Sequence, residues 1–471
     1  MSRPNRLLPD TSRVSTRVII AFVFVFGLCG VFRNMVAMRQ LLFVMDEKEV
    51  SDGPTVQKGG TKTTVAYAVT LTHFGEAAGK YIDRAAVLHQ SIKLAMQKSP
   101  RYDYHIYAFV HKEAIEAKPF LEKLGYRVQI KDTPFNITEI DNFDLVDGQR
   151  IGCCGEKEYL KLYSYLLLDY PVAVHLDLDT IVFRPMDDVF DFMTLTQTTP
   201  TKLTVDQVDS FARTSSMWMN KRFDVSKTHA SRTVLTKPER INLMFTRDYN
   251  MVDPPSLKPY QMGVQGGFLA VRPNRRDFDR MVNIIQTGGD FKESKWGYGK
   301  LGNDGYGGYY GAATIQGLAS YYYDHYEKGT RSIELNRCNY NSMVDNPLRF
   351  NKKLNKSLCT TTEDDCEDCR ETKFEDIYTS HLTVCGKPEV CQQRRQPPNA
   401  LCGRILHEWH KTRLSLETEW MHRFSSLDVP YVPELKPKNG DKEKYLGHCD
   451  GDRYIPLVLP SFEDSTTGSF I

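Results

Sequence analysis

The sequence has almost no excess of charge of either sign, with 61 lysines and arginines against 59 aspartates and glutamates in 471 residues. A balance this close leaves no global field to draw in a polyanion, so a nucleic-acid partner is not expected. No internal repeat is evident either. A second Cys-x-x-Cys pair is also missing: Cys366-Glu367-Asp368-Cys369 stands without the partner that zinc-ribbon spacing needs. The cysteines therefore read as disulfides of an oxidising compartment rather than as structural zinc ligands. Ten of the eleven lie beyond residue 32, and Cys359, Cys366, Cys369, Cys385, Cys391 and Cys402 crowd near the end. Their pairing is left open by the sequence.

What is present begins at the N-terminus, where Val18 to Phe32 forms an unbroken apolar run, VIIAFVFVFGLCGVF. At ~1.5 Å per residue it makes about 22 Å of helix, short against a ~30 Å hydrocarbon core but adequate with local thinning. Arg3, Arg6, Arg13 and Arg17 precede it and outnumber Arg33 and Arg39 behind it. By the positive-inside rule the N-terminus stays cytoplasmic. The expected organisation is a cytoplasmic tail (1–17), a type II transmembrane signal anchor (18–32), a stem (33–62) that is polar over 46–62, a lumenal domain (63–460) and a C-terminal tail (461–471). The alternative is a cleaved signal peptide, since Leu28-Cys29-Gly30 ends in small residues. Both readings send the body of the chain into the secretory pathway, as do the sequons Asn136-Ile137-Thr138 and Asn355-Lys356-Ser357.

Beyond the stem, strands alternate with helices. Thr64 to Thr72 is β-branched and alternating, Tyr81 to Gln97 carries Ala85, Leu88, Ile92 and Met96 at helical spacing, and Tyr104 to Val110 is a second strand. Helix Glu113 to Leu124, strand Tyr126 to Ile130 and helix Glu156 to Leu168 follow, the last presenting Tyr159, Tyr163, Leu166 and Leu167. Val172 to Leu176 is a fully apolar strand. The expected fold is α/β with a mostly parallel central sheet in one nucleotide-binding domain. Residues 197–260 read as an insertion, Gly266 to Arg272 as another strand, and the glycine- and tyrosine-rich residues 297–311 as a mobile surface loop.

Asp177 stands at the carboxyl end of an apolar strand, the edge where open α/β sheets bind ligands. Asp177-Leu178-Asp179 places two carboxylates there with an apolar residue between them. Two like charges so close repel, and a hard divalent cation relieves that repulsion while bridging to a diphosphate. A bare Asp-x-Asp can equally cap a turn.

The surrounding residues resemble glycosyltransferase family 8, the class of glycogenin and galactosyltransferase C. The family's lysine-bearing helix, short strand, Asp-x-Asp-Thr and following apolar pair correspond to Lys161-Leu162, Val172 to Leu176, Asp177-Leu178-Asp179-Thr180 and Ile181-Val182. Val69-Thr70-Leu71-Thr72 looks like its first strand, and Tyr81 falls where the family stacks a tyrosine on uracil. Gly266-Gly267-Phe268 looks like its acceptor-side segment, and His381 with Lys387-Pro388 resembles its distant His and Lys-Pro motif. The resemblance spans most of residues 63–390. It implies a GT-A type fold and retaining transfer of a sugar from a nucleotide sugar, a UDP-sugar, to a glycan, glycoprotein or glycolipid, which the type II anchor would place in the Golgi lumen. It implies Mn2+ or another divalent cation held by Asp177, Asp179 and His381, with Lys387 on the diphosphate. Thr70, Leu71, Tyr81, Lys161, Leu178, Gln265, Gly266 and Gly267 would line the donor site.

Three departures stand out. Gln265 replaces the family's asparagine, Ile315-Gln316-Gly317 lacks its aspartate, and Glu389 replaces its tryptophan. Gln316 remains a candidate to face the sugar, and Asp304 is a candidate for the missing carboxylate. Two rival readings come from other classes. A haloacid-dehalogenase-like phosphatase also uses strand-Asp-x-Asp, but on its first strand, and a lumenal binding protein could keep the fold without catalysis.

Overall fold

The computed structural model describes residues 62–460, apart from 76–77, 143–144, 147–154, 199–240, 250–262, 289–290, 292–305, 310, 328–330, 347, 353–354, 360–366, 392–398, 426–431 and 434–444. The chain divides into units 1–57 and 58–471, and the described residues belong to the second. The expected anchor at 18–32, the stem up to residue 61, the tail at 461–471 and Asp304 lie outside them. Among the described residues no helix is long and apolar enough to cross a membrane.

The first strand, β1 (Thr63–Leu71), is buried along almost its whole length, and helix α1 (Ala78–Met96) packs onto it through Ala85, Leu88, Ile92 and Met96, the residues at helical spacing. Strand β2 (Tyr102–His111), helix α2 (Lys118–Lys123) and strand β3 (Arg127–Lys131) complete a parallel βαβαβ run. A short 3-10 turn, Lys112–Ala117, opens what reads as a single helix in the sequence, because Pro119 is accommodated at the start of α2.

Strand β4 (Ala173–Leu176) lies parallel to β1 on its other side, with Ala68 opposite His175. From its end the chain turns into β5 (Thr180–Val182) and helix α3 (Asp187–Thr198). Strands β6 (Leu243–Arg247), β7 (Val264–Val271) and β8 (Ser332–Glu334) complete a seven-stranded sheet in the order β3-β2-β1-β4-β7-β6-β8. Four of its neighbouring pairs are parallel. Strand β7 runs antiparallel to both β4 and β6, so the sheet is mostly parallel with one reversed member.

One sheet face is covered by α1, α3 and a long C-terminal helix, Ala400–Arg423, through residues such as Leu88, Phe190 and Trp420. The other carries helix α4 (Arg275–Thr287), helix α5 (Ile315–Ser320) and a 3-10 helix, Gly155–Leu166. Helix α4 has both signals its sequence offers. Asn274 caps its start by accepting from the Asp277 N–H, and Gly288 ends it at a φ of 68°.

Several expectations change. Gly155–Leu166 winds as a 3-10 helix and not as an α-helix. Of the expected face, Tyr159 and Leu167 are buried while Tyr163 and Leu166 are half-buried, and Leu160, Lys161, Leu162, Ser164 and Tyr165 are buried as well. The expected insertion at 197–260 contains β6, whose five residues are all buried. Of the expected surface loop at 297–311, the described Tyr306, Gly307, Gly308 and Tyr309 are buried, with Tyr306 stacked on Tyr321. Aromatic residues that could pack were the signal against a loop there.

The C-terminal third adds helix α6 (Arg337–Tyr340), hairpin β9–β10 (Leu348–Asn351 and Lys356–Cys359), strand β11 (Thr379–His381), helix α7 (Ala400–Arg423) and hairpin β12–β13 (Cys449–Asp450 and Arg453–Tyr454). Disulfides Cys338–Cys369, Cys385–Cys402 and Cys391–Cys449 staple it. Cys369 is thus committed to a disulfide, which removes it from any zinc pair with Cys366. Both sequon asparagines, Asn136 and Asn355, are exposed.

A buried ionic network fastens α7 to α1 and to the last described strand pair. Arg413 donates to Glu417 at 3.0 Å, to the Tyr454 hydroxyl at 2.6 Å and to the Ile455 carbonyl at 2.7 Å, and it pairs with Asp83. Asp83 accepts from the Leu457 N–H at 3.0 Å. Removing the guanidinium strands two carboxylates in the core, so Arg413→Ala is expected to lower stability by about 3–5 kcal/mol. Chemical denaturation that shows a loss under about 1 kcal/mol contradicts this role.

Candidate active site

The site forms where β4 runs out. Asp177 donates its N–H to the Gly267 carbonyl of β7, and the Thr180 N–H returns to the Asp177 carbonyl at 3.1 Å, closing a turn that holds both aspartates on the same edge. Leu178 points the other way, into the core, and anchors that turn. The carboxylates stay reachable, with side chains 28% and 14% exposed for Asp177 and Asp179.

His381 reaches them through a second, two-stranded ladder. Strand β11 pairs antiparallel with β5, with His381 opposite Thr180, and the Leu382 N–H donates to the Asp179 carbonyl at 2.9 Å. His381 Nε2 then lies 3.2 Å from Asp179 Oδ1 and 3.9 Å from Asp177 Oδ2. One ligand atom from each of the three residues falls within a 4.8 Å cluster. Two carboxylate oxygens and an imidazole nitrogen form a donor set that could hold a divalent cation.

Cations from the chain surround this cluster. Lys161, buried, places Nζ 2.9 Å from Asp177 Oδ1 and 3.1 Å from the Gly266 carbonyl. Lys387 pairs with Asp179 Oδ2 and is about a third exposed. Burial opposes ionisation of both carboxylates, but Lys161 and His381 hold Asp177 below the usual carboxylate range, and His381 and Lys387 hold Asp179 well below it. For His381, burial favours the neutral ring, yet Asp179 and Asp177 outweigh it and raise its pKa above the ordinary value.

Strand β7 can lie this close only because residue 267 is glycine. A Cβ there would come within 2.6 Å of the His381 ring and 2.9 Å of the Asp177 carboxylate. At Gly266 a Cβ would meet Ile315 at 2.9 Å and Gln316 at 3.1 Å, and the Gly266 N–H donates to Gln316 Oε1 at 3.2 Å. Gln265, buried, accepts from the Gly267 N–H at 2.6 Å and from Asn341 at 3.1 Å. Its longer amide thus braces the glycine strand.

The structure brings together Asp177, Asp179, His381, Lys161, Lys387, Gly266, Gly267, Gln265 and Gln316, whereas the side chain of Leu178, expected to line the donor site, packs into the core. Thr70 and Leu71 end β1 at the same sheet edge, and Tyr81 sits half-buried on α1 against the core rim. Lys161 does more here than the resemblance implies, since its ammonium is occupied in holding Asp177. Three residues escaped sequence reasoning. Asn341 links Gln265 to Thr246, His175 is buried behind Asp177 with its pKa pushed down to about 3 by burial and by Lys161, and Arg84 pairs with Glu389. Only Arg84 left a trace in the sequence, three residues after Tyr81 on a helix and hence on its face.

No family model matches the sequence, and no curated protein matches it. Among solved structures, the chain is similar to the galactosyltransferase LgtC in complex with donor and acceptor sugar analogues, at 11% identity over 75% of this chain and 96% of that one, with a TM-score of 0.37. It is similar to apo mouse xyloside xylosyltransferase 1 at 10% identity over 59% and 87%, with a TM-score of 0.31. For the apo glycosyltransferase GlyE of Streptococcus pneumoniae TIGR4 the values are 13%, 79%, 66% and 0.35. Likeness this distant carries no argument about chemistry, which rests on the side chains.

Two outcomes follow from this geometry. Gly267→Ala should lower Mn2+ affinity roughly tenfold or more by displacing His381 and Asp177, at about 1–3 kcal/mol in stability. Electron paramagnetic titration of free Mn2+ that shows wild-type affinity in this variant contradicts the packing argument. Because a ligating imidazole must be neutral, a proton on His381 competes with the metal. The raised pKa places that competition at and above the ordinary histidine range, so Mn2+ affinity should strengthen as pH rises through neutrality and fall on acidification. The same titration checks it, and a pH-independent affinity is the contrary result.

Proposed function

We propose that this chain is a metal-dependent, retaining glycosyltransferase that moves a sugar from a UDP-sugar to a glycan, glycoprotein or glycolipid acceptor, anchored as a type II protein with its domain in the Golgi lumen. The observation that carries the proposal is the meeting of Asp177, Asp179 and His381, with Lys387 beside them, at the carboxyl edge of a mostly parallel sheet. Asp-x-Asp alone caps turns in many proteins. An acid pair joined by an imidazole and an ammonium is instead a place to bind a cation and a diphosphate together.

Mn2+ or another divalent cation bound by Asp177, Asp179 and His381 would neutralise the diphosphate's negative charge. The chain's own residues supply the rest. Lys161 holds Asp177 in position from behind, and Lys387, the more exposed cation, is placed to leave Asp179 for the diphosphate. As the bond between the anomeric carbon and the diphosphate oxygen breaks, negative charge grows on that oxygen, and an ammonium there stabilises the transition state more than the intact donor. Gln316, its amide oxygen engaged by Gly266, offers its amide nitrogen to a sugar hydroxyl. The phosphatase reading is disfavoured because the acid pair follows the fourth strand of the domain.

The test is release of free nucleotide from a panel of nucleotide sugars, with and without Mn2+, together with transfer to acceptors. Asp177→Asn or Asp179→Asn should abolish transfer with little loss of folding. Lys387→Ala should leave Mn2+ binding nearly intact and reduce turnover roughly a hundredfold, the scale of losing one charge-stabilising donor. Near-wild-type turnover in either aspartate variant refutes the site assignment, and phosphate release from a simple phosphomonoester would favour the phosphatase.

A further inference from the structure

Arg84 lies on α1 one helical turn beyond Tyr81, with its guanidinium 5.9 Å from the Tyr81 ring centroid. It bonds through Nη2 to the buried carboxylate of Glu389, two residues after Lys387. Asp179 is near enough to act on its charge. Arg84 Nε and Glu389 Oε2 are both buried without a hydrogen-bond partner. A guanidinium with an unmatched Nε–H therefore lies beside the Tyr81 ring, within the field of Asp179, and is tied to the segment that carries Lys387. Buried donors left unmatched are costly, and an anion that arrives there would satisfy them.

We propose that Arg84, aimed by Glu389, is a further phosphate-binding residue of this site. The inference rests on the nucleotide-sugar reading given above. A nucleotide whose base lies on Tyr81 and whose terminal phosphate lies by Lys387 runs its first phosphate past Arg84. The planar guanidinium can present two parallel N–H donors to that phosphate, which a lysine cannot. Glu389 gives the guanidinium a partner other than Asp179. Without it, Arg84 is free to fold onto the acid pair and compete with the metal. The glutamate that departs from the family's tryptophan thus has a role in setting the direction of one cation.

The experiment is calorimetric titration of the full-length protein in Mn2+ with UDP, UMP and uridine, for wild type, Arg84→Gln, Arg84→Lys and Glu389→Gln. Arg84→Gln is expected to weaken UDP and UMP roughly tenfold or more while leaving uridine and nucleotide-free Mn2+ affinity unchanged. Arg84→Lys should recover part of the loss, and Glu389→Gln should weaken UDP by less than Arg84→Gln does. Unchanged UDP affinity in Arg84→Gln, or an equal loss for uridine and UDP, overturns the proposal. If Arg84→Gln loses its near-ultraviolet circular dichroism, the other two variants decide, and wild-type UDP affinity in both overturns it. A wild-type protein that binds neither UDP nor UMP sinks the nucleotide-sugar reading itself, whereas wild-type binding with an indifferent Arg84 sinks this inference alone.

Discussion

The structure around this site answers one electrostatic problem, the repulsion between Asp177 and Asp179 in a half-buried turn. Two ionised carboxylates so placed would ordinarily force one to take up a proton. Here each is held ionised from a different direction. Lys161 approaches from the 3-10 helix on one side of the sheet, while His381 and Lys387 arrive from the C-terminal third. The local fold serves those approaches. Gly267 opens the space beside Asp177 and the imidazole, Gln265 and Asn341 brace the glycine strand, and the β5–β11 ladder sets the register of His381 against Thr180.

Much of this was legible in the sequence, and the reasons are local. Strand β4 announces itself as an apolar run that stops at an aspartate, and α1 as a helix with Ala85, Leu88 and Ile92 on one face. A residue's place in a parallel sheet edge follows from those two facts with no tertiary information. The involvement of His381 and Lys387 was legible only through the family resemblance, because nothing local in His381-Leu382-Thr383-Val384 distinguishes a ligand from a half-buried histidine.

What was not legible depended on long-range packing. Strand β6 reads as part of a polar insertion because its neighbours up to residue 240 carry no period, and its burial comes from β7 and β8. The reversed direction of β7 cannot be read from Gly266 to Arg272, since an apolar strand in a sheet centre looks the same either way. The 3-10 winding of Gly155–Leu166 hides because Tyr159 begins both an α-helical and a three-residue row. The pairing of Arg84 is hidden for a different reason: its partner Glu389 lies 305 residues away, and the pair exists only once α1 and the Lys387 segment are in place.

The separation of the ligand set along the chain has a consequence for biosynthesis. Asp179 and Lys387 are 208 residues apart. At ~5–20 residues per second a ribosome needs about 10–40 s to pass from one to the other. For that interval Asp177 has Lys161, but Asp179 has neither the His381 imidazole nor the Lys387 ammonium, and a chain cut short before residue 381 never acquires them. Such a fragment would contain Lys161 for Asp177 but lack both cationic partners of Asp179. Completion of the site would then report that synthesis has reached the C-terminal third.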